Sequence, residues 1–220
     1  HKLYLLNYKI MKRIKNIIIN INSSELAAIK ADAIMVPEFQ HCALHSGIGR
    51  TMTKTYPKGM LMYDIYAKAA GSSLGSVMLT DTGSPTCKHL LHLVVLGCCR
   101  DDLFACIKTA VEKALILADE NGALCVAIPA LGTGIAGYLT VEQSAKAVFA
   151  AIAEFAPLAK SIRRIDFAVA LGAVKVVEDI LQQERYLGCE TEIAGNNFNL
   201  GEWIYTLCNQ LNTGVPEVGC

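Results

Sequence analysis

The sequence is 220 residues long, 53% hydrophobic and 18% charged, with 20 basic and 20 acidic residues. This composition is that of a globular protein with a sizeable core, and it excludes general disorder. The formal net charge is zero, whereas proteins built to bind nucleic acid or anionic lipid usually carry an excess of basic residues. We therefore expect neither nucleic acid nor a membrane as a partner.

The nine cysteines predict neither a disulfide framework nor a metal site. Their number is odd, the chain is not small, and no C-x-x-C motif occurs, so reduced and mostly buried thiols are the better interpretation. The longest apolar stretches, such as 90–99, are shorter than the ~20 residues that cross a membrane. We therefore expect a cytoplasmic protein without a metal ion or a membrane segment.

The first half of the chain mixes strands and helices. Its hydrophobic patterns predict strands at 13–22, 31–36, 76–80 and 89–97. Pro37 is expected to end the second of these strands, because proline cannot donate to a sheet ladder. A helical pattern at 47–70 is interrupted by the breaker cluster Tyr-Pro-Lys-Gly at 56–59.

From residue 101 onward, helices and strands alternate. The expected helices are 101–122, 140–155 and 174–186, with strands between them at 124–131 and 164–171. Thr140 and Gln143 have the spacing of a capping box, which places the start of the middle helix. Alternating helices and doubly apolar strands predict an α/β protein, with a largely parallel sheet covered by helices on both faces.

A glycine-rich loop follows the strand at 124–131. Residues 126–138 read V-A-I-P-A-L-G-T-G-I-A-G-Y, which contains a G-x-G-x-x-G pattern. A dinucleotide fingerprint would place its third glycine in the first turn of the helix, but here the helix begins only after Thr140. It would also place an acidic residue at the end of the next strand, which ends instead in Ala-Leu-Gly at 170–172. We therefore reject the dinucleotide interpretation.

The same loop can still bind an anion. Three glycines and an alanine allow backbone N–H groups to turn inward and surround a phosphate without a basic side chain. The alternative interpretation is an ordinary glycine-rich connection between a strand and a helix.

Three segments carry a resemblance to a known family. They are C-V-A-I-P-A-L-G-T-G-I-A-G-Y at 125–138, G-S-V-M-L-T at 75–80, which His92 follows on the next strand, and D-A-I-M-V at 32–36. In these segments the chain resembles a macro domain, the ADP-ribose-binding fold. The resemblance covers roughly 13–186, and only the loop with its preceding strand is highly specific. We accordingly expect an N-terminal extension at 1–12 and a tail at 187–220 that packs on the domain.

The resemblance implies a three-layer α/β/α fold with a mixed, mostly parallel sheet, and it implies a ligand site. The loop that would bind the diphosphate is Gly132, Thr133, Gly134, Ile135, Ala136, Gly137 and Tyr138. The opposite side of the site would be Gly47, Ile48 and Gly49. Glu25 and Leu26 would lie at the adenine, and Phe39 would lie at the distal ribose.

The chain departs from the family pattern at several of these positions. Glu25 replaces the aspartate that accepts from the adenine amino group, which keeps the acceptor but lengthens the arm. V-P-E-F at 36–39 replaces N-A-A-N, so a phenyl ring stands where an amide would contact the ribose. Gly49 replaces an acidic residue of many hydrolytic members. No aromatic residue follows Leu171, where the family often has one at the adenine.

Other polar residues could act as catalytic or metal-binding groups. His41 and His45 are spaced as metal-binding histidines often are, but no third ligand is apparent, and surface histidines are the better interpretation. Glu38, His41 and Cys42 could form a base and nucleophile set, although buried cysteines are usually inert.

Two groups of residues favour a structural interpretation over a functional one. His89 and His92 flank a buried strand and are expected to be hydrogen-bonded core histidines. Lys12, Arg13 and Lys15 would be a solvated strand edge rather than a nucleic-acid contact.

Three functions remain open from the sequence. The first is a module that binds ADP-ribose or a related nucleotide diphosphate, free or on an ADP-ribosylated protein, without a cofactor. The second is an ADP-ribosyl hydrolase or phosphoesterase, which would need Glu38, His41 or His45 in a rearranged site. The third is a degenerate interaction scaffold in which Pro37 and Phe39 fill the distal ribose position.

Overall fold

A single mixed sheet organises the protein. The structure, a computed structural model, describes residues 12–40, 46–97, 103–134 and 138–183. Its strands are β1 (Lys12–Ile14), β2 (Ile17–Asn22), β3 (Ala33–Phe39), β4 (Val77–Asp81), β5 (His89–Leu96), β6 (Cys125–Pro129) and β7 (Arg164–Ala168). Its helices are α1 (Gly47–Thr55), α2 (Pro57–Ala70), α3 (Leu103–Glu120), α4 (Val141–Phe155) and α5 (Val174–Gln183).

The order of strands across the described sheet is β1-β2-β7-β6-β3-β5-β4. The five inner strands run parallel to one another, whereas β1 and β4 pair antiparallel with their neighbours. The mixed, mostly parallel sheet that was expected is therefore confirmed.

Helices cover both faces of the sheet. Along β3, Ala33 and Met35 belong to a buried cluster that includes residues of α3, α4 and α5. Ile34 and Val36 point to the other face, where they join a second cluster with residues of α1 and α2. Side chains alternate between the faces of a strand, so these two clusters are the two interfaces of a three-layer α/β/α protein.

Two predicted strands are wrong in their extent. The segment 13–22 is a hairpin, in which β1 and β2 are joined by the two-residue loop Lys15-Asn16, and Lys15 has a φ of 52°. The strand predicted to end at Pro37 continues through it to Phe39. Pro37 is tolerated there because β6 runs alongside only Ala33 and Ile34, so the missing N–H lies beyond that ladder.

The local signals at helix ends are confirmed. Tyr56 separates α1 from α2, and Pro57 occupies the first turn of α2, where its missing N–H costs nothing. Thr140 and Gln143 form the capping box, with both reciprocal hydrogen bonds present. The helix predicted at 174–186 is described as far as Gln183, and the residues 101, 102 and 184–186 lie outside the described residues.

The basic cluster near the start of the chain has a structural role in part. Lys12 lies on β1 and donates from Nζ to the backbone carbonyl of Glu178 on α5, at 2.8 Å. The ammonium group therefore ties the outer strand to a helix. The division into 1–12, 13–186 and 187–220 stays a prediction.

In the part of the chain that the structure describes, none of the helices combines the length and the apolar character that crossing a membrane requires. The expected cytoplasmic location stays a prediction.

Candidate functional site

The predicted site residues converge on one edge of the sheet. Parallel strands end at a common edge, and ligands of α/β proteins bind in the loops that follow those ends. Phe39 is the last residue of β3, and the glycine loop follows β6, its neighbour in the sheet. Glu25 and Leu26 come just after β2, at the same edge.

The glycine loop has a fixed shape at its start. Gly132 has a φ of +77°, a conformation that side chains rarely adopt. A Cβ atom there would lie 3.1 Å from Ile107 Cδ1 and 3.3 Å from Leu139 Cδ1. The N–H of Leu139 donates to the Gly132 carbonyl at 3.1 Å, which closes the loop at its far end. The loop therefore requires glycine at position 132, both for its backbone conformation and for packing against Ile107 and Leu139.

The next two residues present free backbone donors. The Thr133 hydroxyl donates to the Ala130 carbonyl at 2.8 Å, so the side chain is held back against the loop. Within the described residues, the N–H groups of Thr133 and Gly134 donate to no protein acceptor. Gly134 is exposed, and a Cβ there would meet no atom of the described residues within 4 Å. These amides are therefore available to an anion.

The remainder of this loop is only partly described. Ile135, Ala136 and Gly137 lie outside the described residues, so their predicted contacts stay predictions. Tyr138 is 41% exposed, which leaves its ring accessible at the end of the loop.

The three residues predicted to close the opposite side of the site, Gly47, Ile48 and Gly49, form the first turn of α1. Ser46 caps the helix, and its Oγ accepts the N–H of Gly49 at 2.9 Å. Ile48 is half-buried against the second cluster. Gly47 has open space around it. Of these three predicted residues, Gly47 is the one whose surroundings leave most room for a ligand.

The end of the site assigned to adenine is open. Glu25 is exposed and precedes a 3₁₀ turn at Leu26–Ala28, and Leu26 is half-buried. Leu171, which follows β7 in another 3₁₀ turn, is 76% exposed. Glu25, Leu26 and Leu171 are the predicted residues at this end. In the sheet, β7 lies between β2, which leads to Glu25, and β6, which leads to the glycine loop.

Sequence reasoning missed a buried polar network beside the site. Glu38 and His92 are both fully buried, and Glu38 Oε1 lies 3.0 Å from His92 Nδ1. His92 Nε2 lies 2.9 Å from Thr80 Oγ1, and the Tyr63 ring stacks on the imidazole with centroids 4.3 Å apart. The expectation that His92 is a hydrogen-bonded core histidine is confirmed. Alternation along the strands could have placed Glu38 on the same face as Ile34 and Val36.

This network changes the chemistry expected of Glu38. Burial, with a smaller contribution from Asp64, raises the pKa of Glu38 to about 8. A fully buried, neutral carboxyl that is bonded to His92 cannot serve as an exposed base near a ligand. His41, Cys42 and His45, the other members of the possible catalytic sets, lie outside the described residues.

The end of β3 is irregular directly at Phe39. Its register with β5 shifts between Glu38 and Phe39, since Glu38 pairs with Val94 but Phe39 pairs with Leu96. Such bulges re-aim the side chain that follows them. Phe39 is half-buried and belongs to neither core cluster, which fits a position at the rim of the sheet rather than in the core.

Comparison with known proteins decides the family. The sequence model named Macro domain matches residues 39–148, which is half of the chain. The chain belongs to the macro domain family. The predicted membership is thereby confirmed, and V-P-E-F at 36–39 makes this macro domain a divergent member.

One curated relative matches part of this macro domain. An uncharacterized protein of Pyrobaculum aerophilum, PAE1111, is 36% identical over 92 residues, which cover 42% of this chain and 50% of that protein. The chain thus spans about half the length of this curated relative.

Solved structures share the fold at low sequence identity. The macrodomain of Mycobacterium tuberculosis DarG is 19% identical with a TM-score of 0.58, over 69% of this chain and 98% of that one. A mutant Oceanobacillus iheyensis macrodomain with ADPR is 12% identical with a TM-score of 0.67, over 78% and 96%. The same macrodomain with ADP has a TM-score of 0.67 at 12% identity, over 78% and 94%.

Proposed function

We propose that this macro domain binds ADP-ribose or a related nucleotide diphosphate through the loop 132–138, as a binding module. Free nucleotide or an ADP-ribosylated protein would be the partner, and no cofactor is needed. Family membership supports the proposal, as do the neighbouring structures that hold ADPR and ADP.

The main support for the proposal is the set of backbone N–H groups at the start of the loop. The N–H groups of half-buried Thr133 and exposed Gly134 have no acceptor among the described residues, while the Gly132 conformation and the Thr133 hydroxyl bond shape the loop beside them. Successive backbone amides in a turn of this kind can surround an anion, and their partial charges would suit a diphosphate. The protein carries no net charge, so these main-chain donors would supply most of the attraction.

Binding without hydrolysis is the form of the function that we favour. Compared with the family pattern, Phe39 replaces an amide and Gly49 replaces an acidic residue. Glu38, the nearest carboxyl on β3, is buried against His92 and has a raised pKa. The described part of the site therefore offers no carboxylate at the end of β3 to activate water.

Calorimetric titration of the full chain with ADP-ribose tests this function. We expect saturable binding by the wild type. Gly134→Glu should abolish it, because a carboxylate in the open space at Gly134 would oppose the diphosphate, and such like-charge contact costs several kcal/mol, or about 100-fold or more in affinity.

Ala69→Glu is the matched control, since it adds the same charge at an exposed position of α2. It should bind ADP-ribose as the wild type does. Absence of binding by the wild type, or full binding by Gly134→Glu, would contradict the proposal.

A further inference from the structure

A cavity lies between the end of α2 and the start of β4, away from the proposed nucleotide site. Its volume is about 240 Å³. None of its lining residues is among those predicted to contact the nucleotide. The cavity lies at β4, and the glycine loop follows β6. In the sheet, β5 and β3 separate these two strands. The cavity is therefore a separate feature of the surface.

One wall of the cavity is rigid because it rests on the buried polar network. Tyr63 lines the cavity, and its ring lies nearly parallel to the His92 ring, at 8°. His92 is held between Glu38 and Thr80 by the hydrogen bonds described above. A wall that is fixed before binding lowers the entropic cost of accepting a ligand.

The facing wall is a turn that is also fixed. Gly71 ends α2 with a φ of 73°, and the chain then passes through three serines to β4. The Ser76 N–H donates to the Ser73 carbonyl at 3.0 Å, and the Gly75 N–H donates to the Val94 carbonyl at 2.8 Å. Lys113 Nζ donates to the Gly75 carbonyl at 3.2 Å. Three hydrogen bonds from the protein itself therefore hold this turn in place.

The lining is polar but uncharged. Hydroxyl-bearing side chains come from Tyr66, Ser72, Ser73 and Ser76, whereas the Tyr63 hydroxyl is buried. The last carbonyls of α2 add acceptors, since the final turn of a helix leaves carbonyls without helical partners. Among the described residues that line the cavity there is no lysine, arginine, histidine, aspartate or glutamate. Such a lining favours a neutral ligand that carries both donors and acceptors.

Apolar side chains complete the walls. They are Ala67, Ala70, Val77, Met78 and Val94. Apolar surfaces beside hydroxyl groups suit a flat ring, because the faces of such a ring are apolar and its edge carries the hydrogen-bonding groups. A sugar ring, which carries hydroxyls around its whole rim, would leave more of them facing alanine and valine.

The volume limits the size of that ring. An apolar cavity of about 150 Å³ holds benzene, which has six non-hydrogen atoms. By the same ratio of volume to atoms, a cavity of about 240 Å³ holds roughly ten non-hydrogen atoms. A purine with one amino group has this size. We propose that the cavity at the end of α2 is a second binding site, which takes an uncharged heterocycle of purine size.

Saturation-transfer NMR of the full chain with free adenine tests the proposal. Adenine should bind the wild type with a dissociation constant on the order of a millimolar or below, as expected for a ligand of this size. Ala70→Phe should weaken binding at least about tenfold, because the phenyl ring would occupy the cavity. Ala69→Phe adds the same ring to the neighbouring exposed residue, which does not line the cavity, and should change the affinity less than about twofold.

Tyr66→Ala, at a half-exposed wall residue, should also weaken binding, and circular dichroism of each variant verifies folding. All titrations are repeated with excess ADP-ribose, which fills the proposed nucleotide site with its own adenine and is too large for a cavity of about 240 Å³, so that adenine bound at the nucleotide site is not counted. Adenine binding that disappears with excess ADP-ribose, or that survives Ala70→Phe, overturns the second site and leaves the nucleotide proposal untouched. Absence of adenine binding to the wild type also overturns it.

Discussion

Glu38 and His92 form a hydrogen bond in the interior of the protein, with Oε1 and Nδ1 3.0 Å apart and neither side chain exposed to solvent. Because burial raises the pKa of Glu38 to about 8, the carboxyl is mostly protonated at neutral pH and donates to Nδ1. His92 then carries its proton on Nε2 and donates to Thr80 Oγ1. The pair joins β3 to β5 and, through Thr80, to β4.

The first prediction is a pH dependence of stability caused by Glu38. The unfolded chain loses the proton near its ordinary pKa of 4.5, whereas the folded protein keeps it until about pH 8. Rising pH between these values therefore favours unfolding, by up to about 1.4 kcal/mol per pH unit. The stability that the neutral carboxyl contributes is fully present below pH 4.5 and is lost as the pH rises through 8.

Glu38→Gln isolates this effect, since the amide cannot titrate but can still donate to His92. Urea unfolding of both proteins at several values between pH 5 and pH 8 measures it. The free energy of unfolding of the wild type should decline with pH relative to that of the variant. Parallel pH profiles would show that Glu38 is not the titrating group.

The second prediction concerns the conformation of the glycine loop. Gly132→Ala should destabilise the protein by about 2 kcal/mol, because the new Cβ combines a left-handed backbone with close contacts to Ile107 and Leu139. Gly134→Ala is the matched control, since its Cβ would meet open space, and its effect should stay within about 0.5 kcal/mol. Thermal and urea unfolding measure both. Equal destabilisation by the two substitutions would be inconsistent with the described loop.

The third prediction concerns the thiols. Burial raises the pKa of Cys87 to about 11, and burial together with the hydrogen bond to Asp166 raises the pKa of Cys125 to about 12. The thiolate is the reactive form, so both should resist alkylation in the native protein at pH 8. Cys106 is only half-buried and should react faster. Peptide mapping by mass spectrometry after timed iodoacetamide exposure, with a urea-unfolded control, compares them. Rapid native labelling of Cys125 would contradict the described packing.

The sequence predicts this fold well where the signal is local. Thr140 with Gln143 and the breaker at Tyr56-Pro57 each fix a helix end within a few residues, and the structure has both. The hairpin at Lys15 was missed because alternation of β-branched residues continues across its two-residue loop. The strand predicted at 31–36 was shorter than β3, because the effect of Pro37 on a strand depends on whether a neighbouring strand needs its missing N–H group.

The site was predictable only in part, for a physical reason. A glycine loop can be recognised in the sequence because its backbone conformation requires glycine at particular positions, as at Gly132. The contact between Glu38 and His92 depends on β3 lying beside β5, and helices that cross over the sheet set this order. The cavity depends on the turn at Gly71 and Gly75, which no periodic pattern encodes.

The outer strands have a consequence for self-association. Exposed strand edges are templates onto which other chains can add, and short, charged edges discourage such addition. β1 has only three residues, two of which are Lys12 and Arg13. β4 ends at Asp81, which is bridged to Lys58 of α2. Both outer margins of the described sheet thus present charge to an incoming strand, which protects the protein against fibril-like growth when it is concentrated.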